Sequence, residues 1–296
     1  MKTLSIRGTN RADLLAIPPV VLGYHPQDSL VVLALQGGVL MMSARLCFDW
    51  YLTHYEATVA QMSAAIENVP GCRFALAGYG ERERTTVSLL ELADVIGHHL
   101  VVDAVVTDGE LSWELGDDAP EPYRFEDTAV AAQAVFAGVS IARSREEAVA
   151  PVTEHHPASR RQVARAEQEI GQLPRRKAQR RLARLIEREE ALSPPRALRL
   201  AVHLGDEDAM VSVLAALGLD NADRVWRNLV AARRVCPPRY EANVLALLAA
   251  ASWLSGRGAA QTACLEQLGE IDPGHVVGAL MAQVHREGRP PSRWED

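Results

Sequence analysis

Beyond Ser159 the apolar residues of this chain recur at intervals of three and four, whereas before Pro151 that spacing alternates with short apolar runs of strand length. This switch of period constrains the fold more than any other feature. It predicts a mixed α/β domain over 1–150 and an all-helical domain over 159–287. A linker falls over 151–158, where Val149-Ala-Pro-Val-Thr-Glu-His-His-Pro157 holds two prolines and no period. The polar residues 288–296 are expected to be a mobile tail that carries Trp294.

Within the first domain, Ser29 to Leu35 and Val39 to Phe48 flank Gly37-Gly38 and predict a β-hairpin. A helix follows over Tyr55–Val69, a buried strand over Cys72–Ala77 and an amphipathic helix over Thr85–His98. Leu100–Val106 and Glu110–Leu115 form a second strand pair across Thr107-Asp108-Gly109, then a loop spans Gly116–Phe125 and a helix spans Glu126–Ala137. The order implies an α+β or α/β domain with a mixed sheet. In the second domain, Pro194-Pro195, Pro237-Pro238 and Asp272-Pro273 open helices, and Gly218, Gly256 and Gly288 close them. Short connections between helices make neighbours antiparallel hairpins, and the last three loosely resemble a tetratricopeptide pair with a capping helix.

Charge divides at the same place. Residues 1–150 carry 10 basic and 20 acidic side chains, and residues 151–296 carry 21 and 18. Of 31 basic residues only Lys2 and Lys177 are lysine. The basic excess lies between Ser159 and Arg188. There Arg176, Arg180 and Arg184 share one helical stripe, with Lys177, Arg181 and Arg188 beside it. Such a stripe suits nucleic-acid phosphates or the acidic surface of the first domain, although a solvated helix face is the commonest fate of a charge run. No aromatic residues interleave with it for base stacking.

Cys47, Cys72, Cys236 and Cys264 have no C-x-x-C spacing, so they predict packed, reduced thiols rather than a zinc site. Met1–Asn10 lacks an apolar core and Val244–Leu254 is too short to span a bilayer, so a cytoplasmic protein without membrane contact is expected.

Two segments carry a family resemblance. One is Arg11-Ala-Asp-Leu-Leu-Ala-Ile-Pro-Pro-Val-Val-Leu-Gly-Tyr-His-Pro-Gln-Asp-Ser-Leu-Val-Val32. The other runs from Leu245 to Pro291 and includes Ala251-Ser-Trp-Leu-Ser-Gly-Arg-Gly258, Ile271-Asp-Pro-Gly274 and Gly288-Arg-Pro-Pro291. Together with Ala137-Gly-Val-Ser-Ile-Ala-Arg-Ser-Arg-Glu146, they resemble an actinobacterial family known as domain of unknown function 4192. The resemblance implies a two-part architecture over the whole chain and implies no activity.

The candidate chemistry is sparse. His25, Asp28 and Ser29, with Arg45, offer a base, an orienting carboxylate and a hydroxyl for a hydrolase-like or small-molecule site. The plainer reading is a turn in which Asp28 and Ser29 bond loop backbone. Gly78-Tyr-Gly80 echoes a phosphate-binding turn, but Glu81 and Glu83 follow it and would repel an anion. The pairs His98-His99 and His155-His156 lack a metal-binding pattern, and no cofactor or metal is expected. The preferred reading is a non-enzymatic protein-interaction or scaffold module, with a protein partner or self-association. Nucleic-acid association through Arg176, Arg180, Arg181 and Arg184 is the first alternative, and an enzyme at the 23–29 loop is the second.

Overall fold

The computed structural model describes residues 6–291 and Trp294. The chain divides into two compact units. The first ends at Glu147 and includes residues 286–290, and the second begins at Ala148.

The first unit contains α1 (Arg11–Leu22), β1 (Ser29–Gln36), β2 (Val39–Cys47), α2 (Phe48–Thr53), α3 (Tyr55–Glu67), β3 (Arg73–Tyr79), α4 (Arg82–Ile96), β4 (Val101–Thr107), β5 (Leu111–Glu114), β6 (Glu121–Pro122) and α5 (Ala129–Phe136). The six strands form one sheet in the order β2-β1-β3-β4-β5-β6. Only β3 and β4 are parallel, with α4 as their crossover. β1 is an interior strand between β2 and β3, and its alternating side chains serve two cores. Leu30, Val32 and Ala34 meet Phe48, Met62, Leu89 and Leu92 on one face. Val31 and Leu33 meet Leu15 of α1 on the other. The unit is therefore a three-layer α/β sandwich, and the doubly buried β1 reads as an uninterrupted apolar run.

The first helix is absent from the sequence-based expectation because Pro18 and Pro19 lie inside it. Pro19 has no N–H for the carbonyl of Leu15, four residues back. That carbonyl instead accepts the Tyr79 hydroxyl at 2.6 Å, in the buried interior. At the other end of α1, Asn10 caps the Asp13 amide at 2.8 Å. The Asp13 carboxylate is wholly buried. It accepts the amide and hydroxyl of Thr9 at 2.9 and 3.0 Å and the amide of Ala129, at the start of α5, at 3.1 Å. One side chain thus anchors the entry to α1 and caps a second helix 116 residues away.

Smaller corrections follow from local chemistry. The expected loop over Gly116–Phe125 contains the two-residue β6, and the expected helix at Glu126 begins at Ala129, where Thr128 supplies the cap. The segment expected to be a linker carries the end of a further helix, α6 (Arg145–Thr153), and Val152 is fully buried. The following backbone is also tied down: the amides of His156 and Ala158 donate to the carbonyls of Arg234 and Val235 at 2.7 and 3.1 Å.

The second unit continues with α7 (Arg160–Gly171), α8 (Arg175–Ile186), α9 (Pro194–His203), α10 (Glu207–Ala215), α11 (Ala222–Val235), α12 (Glu241–Leu254), α13 (Gly258–Ile271) and α14 (Val276–Arg286). No strand occurs there among the described residues. α12 is its centre: every residue from Val244 to Leu254 is buried, and α10, α11 and α13 pack around it. A helix apolar on all sides is stable only when so enclosed. Of the expected mobile tail, Ser292, Arg293, Glu295 and Asp296 lie outside the described residues. Trp294 is seated: its indole N–H donates to the Leu217 carbonyl at 2.8 Å and its ring meets Trp253 edge-on, with centroids 5.5 Å apart.

Replacing Asp13 by Ala should strand part-buried amides at the starts of both α1 and α5. The expected destabilisation is about 3 kcal/mol. Asp13→Asn should lose less, because the amide oxygen still accepts. Denaturant midpoints of the two variants against the parent chain check the order and size of the effect.

Candidate functional site

The 23–29 loop lies at a place where α/β sheets commonly bind ligands. Ser29 aligns with Tyr79, and Tyr79 with Thr107, so the loop meets the carboxyl ends of the parallel strands β3 and β4 beside the start of α4. The loop is pinned by Tyr24 bridging to Ala142, with the His25 amide donating to the Ala142 carbonyl at 3.1 Å.

The candidate side chains do not converge as a base, an orienter and a hydroxyl. The Ser29 hydroxyl donates to the carbonyl of Gln27 in its own loop and accepts from Arg45 Nε at 2.8 Å. Arg45 also reaches the Gln27 carbonyl at 3.3 Å and lies 5.9 Å from the centre of the Tyr24 ring. The rings of His25 and Phe125 meet at right angles, with centroids 4.8 Å apart. Asp28 is turned elsewhere: its carboxylate pairs with Arg84 Nη2, on the first turn of α4, at 2.6 Å. Asp28 is the one non-glycine residue with positive φ (42°) among those described, a conformation that Asp tolerates better than most residues. The arrangement is a polar latch between loop, β2 and α4, with Arg84 stacked 4.5 Å over Phe48.

Gly78 and Gly80 have steric duties. A side chain at Gly78 would stand 2.3 Å from the Thr85 methyl, and Gly80 adopts φ +143° with Asp28 Oδ1 beside it. The anion seat at the start of α4 is filled from within. The Glu81 carboxylate accepts the amides of Glu83 and Arg84, both at 2.9 Å, and these bonds hold it below the usual carboxylate range. Sequence reasoning recognised the charged first turn here and missed Glu81 as its cap. An acidic residue directly before a helical period was the available signal.

The arginine stripe forms as expected on α8, which ends at Ile186. Arg176, Lys177, Arg180 and Arg184 are exposed, and none of their side chains takes a hydrogen bond or ion pair with a described residue. Arg181 differs. It turns toward Glu169 of α7 at 3.6 Å, where Arg165 at 3.2 Å and Arg199 of α9 at 2.8 Å also converge. Glu169 is held ionised below its ordinary range, most strongly by Arg199. This carboxylate fastens α7, α8 and α9 together while α8 keeps its outer cations free. Beside it lies a cleft of about 600 Å³ between α7 and α9, with Leu198, Ala166 and Val235 in its wall and Arg165 and Arg199 at its charged end. No sequence pattern marked this cleft, because its walls come from segments far apart in the chain.

The remaining candidates are structural. All four cysteines are free, and burial pushes the thiols of Cys236 and Cys264 up to about 12. His98 pairs with Asp94 at 2.8 Å, and His155 bonds the Cys236 carbonyl at 2.6 Å. Among the described residues, no group of three His, Cys, Asp or Glu side chains is placed to hold a metal ion, and no helix is long and apolar enough to cross a membrane.

The model of a family described as "Domain of unknown function (DUF4192)" matches residues 12–292. No curated protein and no solved structure matches the chain.

His203, at the end of α9, is 4% exposed, and its Nε2 has no partner among the described residues. Burial, then the nearby Arg181, drives its pKa down to about 4. The unfolded chain takes up this proton near pH 6.5, well before the folded one. Stability from this group is therefore complete above pH 6.5 and is lost as pH falls toward 4, by up to about 3 kcal/mol. Denaturation midpoints at pH 7 and pH 4.5 should differ less in His203→Leu than in the parent.

Proposed function

The chain belongs to the DUF4192 family, and on that footing we propose that it is a non-enzymatic interaction module of the cytoplasm, whose helical unit holds an anionic partner along α8. The observation that carries this reading is the set of exposed, unpaired cations Arg176, Lys177, Arg180 and Arg184 on one helix. Several other arginines of the unit are neutralised: Arg175 at the start of α8 by Asp208, and, on other helices, Arg224 by Glu189, Arg234 by Glu154 and Arg257 by Asp223. Four cations left free on a single helix are suited to an external anion.

The partner is a protein segment rich in Asp and Glu. Nucleic acid is the second reading, favoured by the regular stacking of Arg176, Arg180 and Arg184, which suits a row of phosphates. The hydrolase-like alternative has less support, because Ser29, Asp28 and Arg45 spend their polar groups on one another's loop and on α4.

Polyglutamate and mixed-sequence DNA and RNA, each offered at low salt, test the reading. The parent chain should bind one of them, and Arg176→Glu with Arg180→Glu and Arg184→Glu should abolish that binding while leaving the circular dichroism unchanged. Three phosphate contacts would give a log–log salt slope of about −3 on duplex DNA. Retention of polyglutamate without any mobility shift on nucleic acid supports the protein partner. Failure to bind any of the three polyanions overturns the proposal.

A further inference from the structure

The sheet of the first unit ends differently at its two edges. β6 is two residues long and closes on Pro122, a short, proline-blocked edge of the kind that prevents sheet extension. β2 is nine residues long, contains no proline, lysine or carboxylate, and among the described residues pairs only with β1. Its single charge, Arg45, is drawn back to Ser29 and Gln27. Alternate residues of β2 therefore turn their backbone N–H and C=O away from the sheet with nothing across from them. None of its side chains is fully buried. Met42, Ala44 and Leu46 reach the core on one face yet stay partly exposed, and Trp50 and Leu52 of the adjoining α2 are 53% and 57% exposed.

We propose that β2 pairs antiparallel with β2 of a second copy, about a two-fold axis at Ala44, so that two sheets become one. The backbone row of an edge strand is complementary only to another strand, and this strand is complementary to itself. With the axis at Ala44, Met42 stands opposite Leu46 of the second copy and Ala44 opposite its own counterpart, so the apolar face continues across the join. Ser43 stands opposite Arg45 of the second copy, and no like charges face each other. The bulge at Met41, where the pairing with β1 shifts register, marks one end of the paired stretch. This inference goes beyond the anionic partner of α8 and is independent of it.

The register makes a charge test possible. The parent chain should sediment at twice its 32.3 kDa chain mass. Ser43→Lys sets an ammonium opposite Arg45 of the second copy and should give a monomer. Ser43→Glu sets a carboxylate there and should keep the dimer. Ala44→Cys, in a Cys47→Ser background, should form a covalent dimer under mild oxidation, because residues meeting on the axis lie within disulfide reach. A parent chain that is monomeric at every concentration overturns the proposal. So do equal masses for the Lys and Glu variants, both with native circular dichroism, or an Ala44→Cys chain that fails to cross-link while dimeric.

Discussion

The first unit depends on one buried carboxylate. Asp13 leaves water to accept amides from two different helix starts, and a charge so placed is tolerable only when its lone pairs are fully used. With Asp13 in place, α1 lies over the sheet, Leu15 enters the core against β1, and α5 packs on α1 through Ala16, Val20, Val130 and Ala134. The 23–29 loop emerges from the end of α1, closed by Gly23, and so its position follows from the same anchor. Glu169 has the matching role in the second unit, with arginines rather than amides as its donors.

Elements whose cause is local were legible in the sequence. The apolar run of β1, the Gly37-Gly38 turn and the amphipathic period of α4 each carry their own signal within about ten residues. The same holds for the stripe of Arg176, Arg180 and Arg184, since spacing by four settles a helical face. Elements whose cause is remote were not. Pro18 and Pro19 look like a break until Tyr79, more than sixty residues later, takes the orphaned carbonyl. Residues 151–158 look like a linker until the carbonyls of α11 receive their amides. Trp294 looks loose until Leu217 and Trp253 are seen beneath it.

At the candidate site the same division applies. Periodicity placed His25, Asp28, Ser29 and Arg45 near a strand end, and the contact between Ser29 and Arg45 could be foreseen from a hairpin. The partner of Asp28 could not. Arg84 lies beyond three strands and two helices, and only the sheet order brings α4 next to the loop. Arg181 was grouped with the free cations because its helix position is adjacent to theirs, whereas its partner Glu169 belongs to another helix.

The enclosure of α12 has a further consequence for how the second unit opens. A helix whose eleven residues from Val244 to Leu254 are all buried offers no face that can fray toward solvent. Its amides exchange their hydrogens only when the surrounding helices come away together, so it is the last element to open. Ala246, Ala249, Ala250 and Ala251 leave no space for larger side chains, and extra methylenes there would have to displace whole neighbouring helices. The middle of this unit therefore has little freedom to vary, while the outer surface of α8 can change its charge at little structural cost.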